Sequence, residues 1–95
     1  MNEIIVNNKV DLNILIDKYG FTYNPLNGSD DDMECYIYNC DKYSVRIYTV
    51  GLVMVKYKEF QNIYQWYELY EDLVKFKEIS ELIKDNILIV KRVED

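Results

Sequence analysis

The sequence predicts an α+β fold: a small antiparallel sheet, made of a meander over residues 33–58 plus N- and C-terminal strands, packed against two or three helices. Three observations carry this prediction. Apolar and polar side chains alternate through 33–58, the period of strands with one buried face. Turn-forming residues at Asn39–Lys42 and at Gly51 divide that stretch into three runs of hairpin length. From Phe60 onward the apolar positions take helical spacing instead.

Taken in order, Glu3–Val6 is a short β-type run with the look of an edge strand. Asp11 is placed to cap a helix whose buried stripe is Leu12, Leu15, Ile16 and Tyr19, and Gly20 is its stop. Asn24, Pro25, Asn27, Gly28 and Ser29 are turn chemistry leading into the acidic run Asp30, Asp31 and Asp32. In the first run of the meander, Met33, Cys35 and Ile37 oppose Glu34, Tyr36 and Tyr38. In the second, Tyr43, Val45 and Ile47 alternate with Ser44, Arg46 and Tyr48. In the third, Val53, Val55 and Tyr57 alternate with Met54, Lys56 and Lys58. The inward set is Val45, Ile47, Val53 and Val55.

Residues 60–76 read as a helix. Phe60, Ile63, Tyr67, Tyr70 and Val74 form one apolar stripe, and Trp66, Leu69, Leu73 and Phe76 form a second beside it. The polar ridge is Gln61, Gln65, Glu68, Asp72 and Lys75. A second short helix over Lys77–Asp85 carries Ile79, Leu82 and Ile83. Asn86 stops it, and Ile87–Val93 is the closing strand.

The 95 residues make one domain, 1–95, with 49% hydrophobic and 29% charged residues, a composition that favours a globular fold over disorder. Ten tyrosines, three phenylalanines and one tryptophan supply bulk for a core of limited size. No run approaches a membrane span, and the N-terminus lacks the layout of a secretory leader, so the chain is expected to be cytoplasmic, with Cys35 and Cys40 as free thiols. The absence of alanine, beside abundant Ile, Asn, Lys and Tyr, suggests AT-rich coding and points to a low-GC bacterium, its phage or its plasmid.

Several chemistries are disfavoured. With no histidine, neither a Ser-His nor a Cys-His mechanism can operate, and two cysteines alone cannot close a four-ligand zinc site. No phosphate-cradling glycine motif is present. Asn27, Asp30, Asp32 and Glu34 resemble an oxygen-ligand loop but fail the calcium-loop pattern, which needs a glycine at the bend and a late bidentate Glu. The expectation is therefore a protein without catalytic residues, cofactor or metal. A net charge of −6 argues against direct nucleic-acid binding, and Tyr36 and Tyr38, flanked by Glu34 and Asp41, lack the basic surroundings of a base-stacking platform.

What remains is a protein-binding module. Its expected contact residues are Tyr64, Trp66, Tyr67 and Tyr70 on the aromatic helix, rimmed by Glu68, Glu71 and Asp72. A second acidic patch comprises Asp30, Asp31, Asp32 and Glu34. The expected partner is a protein with a basic surface, with no nucleic acid and no membrane, and the function that of an inhibitor of a host defence or nucleic-acid enzyme, acting by steric block or partial nucleic-acid mimicry. Two alternatives are a homodimeric accessory protein, with the aromatic helix as its interface, and a winged-helix DNA binder suggested by the helix-then-strand ending with Lys91 and Arg92.

Overall fold

The computed structural model describes residues 1–25 and 34–93. The expected turn at 26–29, the acidic run Asp30–Asp32, Met33 and the terminal pair Glu94 and Asp95 lie outside the described residues. The fold is a mixed α+β domain in which sheet dominates: a five-stranded antiparallel sheet, a two-stranded sheet and three short helices.

The chain opens with β1 (Asn2–Val6), followed by α1 (Ile14–Tyr19) and β2 (Thr22–Asn24). Then come β3 (Cys35–Asn39), β4 (Tyr43–Tyr48), β5 (Val53–Phe60) and β6 (Ile63–Tyr67). The C-terminal part is α2 (Tyr70–Leu73), α3 (Lys77–Lys84) and β7 (Leu88–Arg92). The large sheet runs β2-β3-β4-β5-β6, so consecutive strands are neighbours, and β1 pairs with β7 apart from it.

The meander follows the alternation of the sequence. Tyr36 pairs with Ile47, Tyr38 with Val45, and Val45 and Ile47 with Val55 and Val53, placing all six on one face. That face meets Leu15, Phe21, Leu73, Ile79, Leu82 and Leu88 in a single core, so the helices and the β1/β7 ribbon cover one side of the sheet. Each helix is too short to persist without this packing. Gly20 closes α1 at φ 75°, a left-handed cap that a side chain would strain.

Several expectations are corrected. Residues 60–76 are not a helix. β5 continues to Phe60, Gln61 and Asn62 make a tight turn, β6 returns antiparallel, and only Tyr70–Leu73 is helical. Gln61 and Asn62 have φ of 42° and 66°, the left-handed conformation that two-residue hairpin turns require, and the alternation Ile63, Gln65, Tyr67 against Tyr64, Trp66 fits a strand. The terminal strands form their own ribbon instead of extending the meander sheet. The first strand of the meander turns Tyr36 and Tyr38 inward, so Cys35 lies on the opposite, outer face, buried there with its thiol accepting from the Asn24 side-chain amide at 3.8 Å. Asp11 does not cap directly: α1 begins at Ile14, and the Asp11 carboxylate accepts from the Asn13 N–H at 3.0 Å. Asn24, expected to open the turn, instead ends β2, which pairs with β3. In the helix-then-strand ending, β7 returns to pair with the N-terminal strand.

Candidate binding surface

The outer face of the five-stranded sheet carries the residues that alternate out of the core. It is closed over Cys35, Ser44 and Tyr48 and open across Met54, Lys56, Tyr64 and Trp66. Register explains the grouping. Arg46 pairs with Met54, Ser44 with Lys56, Lys56 with Trp66 and Lys58 with Tyr64, so cations of β4 and β5 stand beside the aromatics of β6. The Lys56 ammonium lies 4.3 Å from the Tyr64 ring centroid and 5.5 Å from that of Trp66, and the Arg46 guanidinium lies 5.4 Å from Trp66. At such distances ring quadrupole and cation attract, which holds the charges and the rings as one platform.

Beside this platform, Lys42, Arg46, Lys56 and Lys58 line a shallow concavity of about 250 Å³ floored by Ser44, whose Oγ accepts from the Arg46 Nε at 3.4 Å. Among the described residues, Asp41 is the one carboxylate in that lining. Four of the chain's eleven basic residues thus gather at one surface of an acidic protein. Arg46, Met54, Trp66 and Glu68 line a second, more open depression next to it.

The expected contact residues are distributed differently from a single helix. Tyr64, Trp66 and Glu68 share the outer face and are exposed. Tyr67 points to the covered side, where its ring lies 6.3 Å from Tyr57 and 5.9 Å from Phe76. Burial pushes its phenol pKa up, with the charges of Glu59 and Asp72 adding to the effect. Tyr70 packs against the core from α2. Glu71 and Asp72 sit on α2, with Glu71 exposed and Asp72 beside Tyr57, Tyr67, Lys75 and Phe76 on the covered side. Glu34 accepts from the Tyr23 hydroxyl, and its carbonyl accepts from the Thr49 N–H at 3.1 Å. Asp30, Asp31 and Asp32 lie outside the described residues. Tyr36 is buried, so Tyr36 and Tyr38 make core contacts and do not form a stacking surface.

Sequence reasoning missed Arg46 and Lys56 as contact residues. Their signal was present, since both were outward positions of alternating runs, but the helical reading of 60–76 removed the aromatic strand that gives them a neighbour. Among the described residues, no group of three or more His, Cys, Asp or Glu side chains is placed to hold a metal ion, and no helix is long and apolar enough to cross a membrane. Comparison with family models, with curated proteins and with solved structures finds no match to this chain.

Proposed function

We propose that the chain is a non-catalytic protein-binding module that docks an acidic, extended segment of a partner on the open half of its outer sheet face. The observation that carries this reading is the platform itself: half-exposed Trp66 and Tyr64 held against Lys56 and Arg46. Trp, Tyr and Arg are the residue types that dominate interface energetics, because each offers large area together with a polar handle. Lysines beside them attract carboxylates and set encounter rate more than residence time. A partner with a basic surface would meet these cations unfavourably, and the local charge therefore favours an acidic segment over the basic one that the net charge suggests. The overall charge of −6 still opposes a nucleic-acid backbone at long range.

A module of this kind acts by steric block, holding a segment that its partner uses elsewhere. That mode fits the expected role as an inhibitor of a host defence or nucleic-acid enzyme. Nucleic-acid mimicry needs a contiguous carboxylate array, and among the described residues Glu68 sits at the platform while Glu71 and Asp72 sit on α2.

Trp66 is the single tryptophan, so its fluorescence reports the platform directly. Titration with polyglutamate should shift that emission, the shift should weaken with salt, and Lys56→Glu should abolish it. Oligothymidylate binding more tightly than polyglutamate at the same ionic strength would overturn the reading in favour of a nucleic-acid binder, and no response to either probe would remove the platform as an anion-directed surface.

A further inference from the structure

β6 is an edge of the large sheet, and its five residues, Ile63, Tyr64, Gln65, Trp66 and Tyr67, carry no charge. Edge strands of monomeric proteins are ordinarily protected by a lysine, a proline or a bulge on the edge strand itself, because unpaired N–H and C=O groups otherwise template another strand. Here the irregularity falls on β5, between Lys58 and Phe60, and leaves β6 regular. Ile63, Tyr64 and Trp66 are 60%, 44% and 42% exposed, and Phe60 and Leu69 flank the strand at 66% and 61%. The two-residue turn at Gln61 and Asn62 adds no loop over the edge.

The hydrogen-bond phase of the edge follows from β5. Lys58 donates its N–H to the Lys42 carbonyl at 2.7 Å, away from β6. In an antiparallel ladder a residue sends both its backbone groups to the same side, so the Lys58–Tyr64 pair is non-hydrogen-bonded and Tyr64 turns its N–H and C=O to the open edge. By alternation Trp66 does the same, and Gln65 turns toward β5.

We infer that β6 pairs antiparallel with β6 of a second copy of this chain, joining two five-stranded sheets into one of ten strands about a two-fold axis at Gln65. This inference stands apart from the identity of any partner. The phase admits a two-fold axis at Tyr64, Gln65 or Trp66, and only the axis at Gln65 pairs all five residues of β6: Tyr64 then lies opposite Trp66 of the second copy and exchanges both backbone hydrogen bonds with it, twice over by symmetry. Aromatic cross-strand pairs then cover the outer face, and Ile63 meets the second copy's Tyr67 on the other side. Charge fits as well. No charged residue opposes a like charge between Asn62 and Glu68, since Glu68 falls opposite Asn62. Gln65 faces Gln65 in a non-hydrogen-bonded pair, where opposing side chains approach most closely. The two platforms come to lie side by side on one continuous face.

The test uses the symmetry. Sedimentation or light scattering of the intact chain, from micromolar to millimolar concentration, should show a reversible monomer–dimer equilibrium. Amide exchange at Tyr64 and Trp66 should slow as concentration rises. Gln65→Lys and Gln65→Glu place like charges opposite one another while leaving Trp66, Tyr64 and Lys56 untouched. Each variant alone should shift to monomer with its melting transition retained, and an equimolar mixture should recover the dimer. A wild-type monomer throughout that range overturns the inference, and so does a dimer that either Gln65 variant leaves intact. If single variants dissociate but the mixture does not recover, the two-fold register at Gln65 is wrong. Loss of the polyglutamate response with the dimer preserved would leave the pairing standing and remove only the proposed function.

Discussion

At the residue scale, position within the alternation decides what each side chain does. Val55 has no exposed surface and sits where β5 meets the core, so Val55→Asp leaves a carboxylate without partner or water. The expected loss is more than about 3 kcal/mol, seen as a collapse of the cooperative melt. Trp66, eleven residues on, lies on the other face and is substantially exposed. Its replacement by Ala removes two cation–ring contacts and part of an aromatic's area, for an expected loss below about 2 kcal/mol against the 3–5 typical of a buried tryptophan. Chemical denaturation of the two variants side by side checks both values. A drop at Trp66→Ala as large as that at a core site would show the ring to be structural and the platform to be misplaced.

At the element scale, the β5–β6 hairpin is the feature on which both inferences depend. Two consecutive residues at positive φ, neither of them glycine, close it. Asn tolerates that conformation better than most residues, whereas a β-branched side chain does not. Asn62→Val should therefore cost about 1–2 kcal/mol, while Gln61→Gly, freed of its Cβ clash, should gain about 0.5 kcal/mol. Opposite signs at adjacent positions, read from melting temperatures, distinguish a left-handed turn from a helix, in which Gln61→Gly would cost stability. The helical reading of 60–76 failed here for a definable reason. Tyr, Ile and Trp spaced at three and four residues satisfy a helical stripe by coincidence when a strand, a short loop and a single helical turn follow each other closely. Lacking the Asn-Gly or Asp-Gly signal, the Gln-Asn turn left nothing local to break the tie.

At the scale of the whole molecule, tyrosines tie separate elements together. Tyr19 of α1 donates to the Asp85 carboxylate at the end of α3, Tyr43 of β4 donates to Glu78 of α3 at 2.6 Å, and Tyr23 of β2 donates to Glu34 beside β3. The hydrogen bond to Asp85, followed by burial, pushes the Tyr19 phenol up to about 12, and the bond to Glu34 does the same for Tyr23, also to about 12. Burial, followed by the bond to Glu78, pushes Tyr43 up further. In the unfolded chain these phenols titrate near ~10. Raised native values mean that the unfolded state loses its protons first, so this contribution is complete below pH ~10 and declines as pH rises through the native values. Stability should therefore fall from about pH 10 to about pH 12, and Tyr43→Phe, which cannot ionise, should flatten that slope. Denaturation midpoints measured across the alkaline range check it, and an unchanged slope in Tyr43→Phe would remove Tyr43 from the account.

The sequence by itself determined the meander, the inward set Val45, Ile47, Val53 and Val55, the short helix from Lys77 and the closing strand, because each rests on local periodicity and turn chemistry. It also exposed Arg46, Lys56 and Lys58 as outward positions and singled out Tyr64 and Trp66 as contact candidates. Only the tertiary structure put these two sets on one surface. Lys56 and Trp66 are ten residues apart in sequence and meet through strand register, which depends on a turn conformation that composition does not encode. The separation of charge has the same origin. A net charge is a sum and carries no position, whereas pairing β4 with β5 and β5 with β6 concentrates four cations on one face of a chain that is acidic overall.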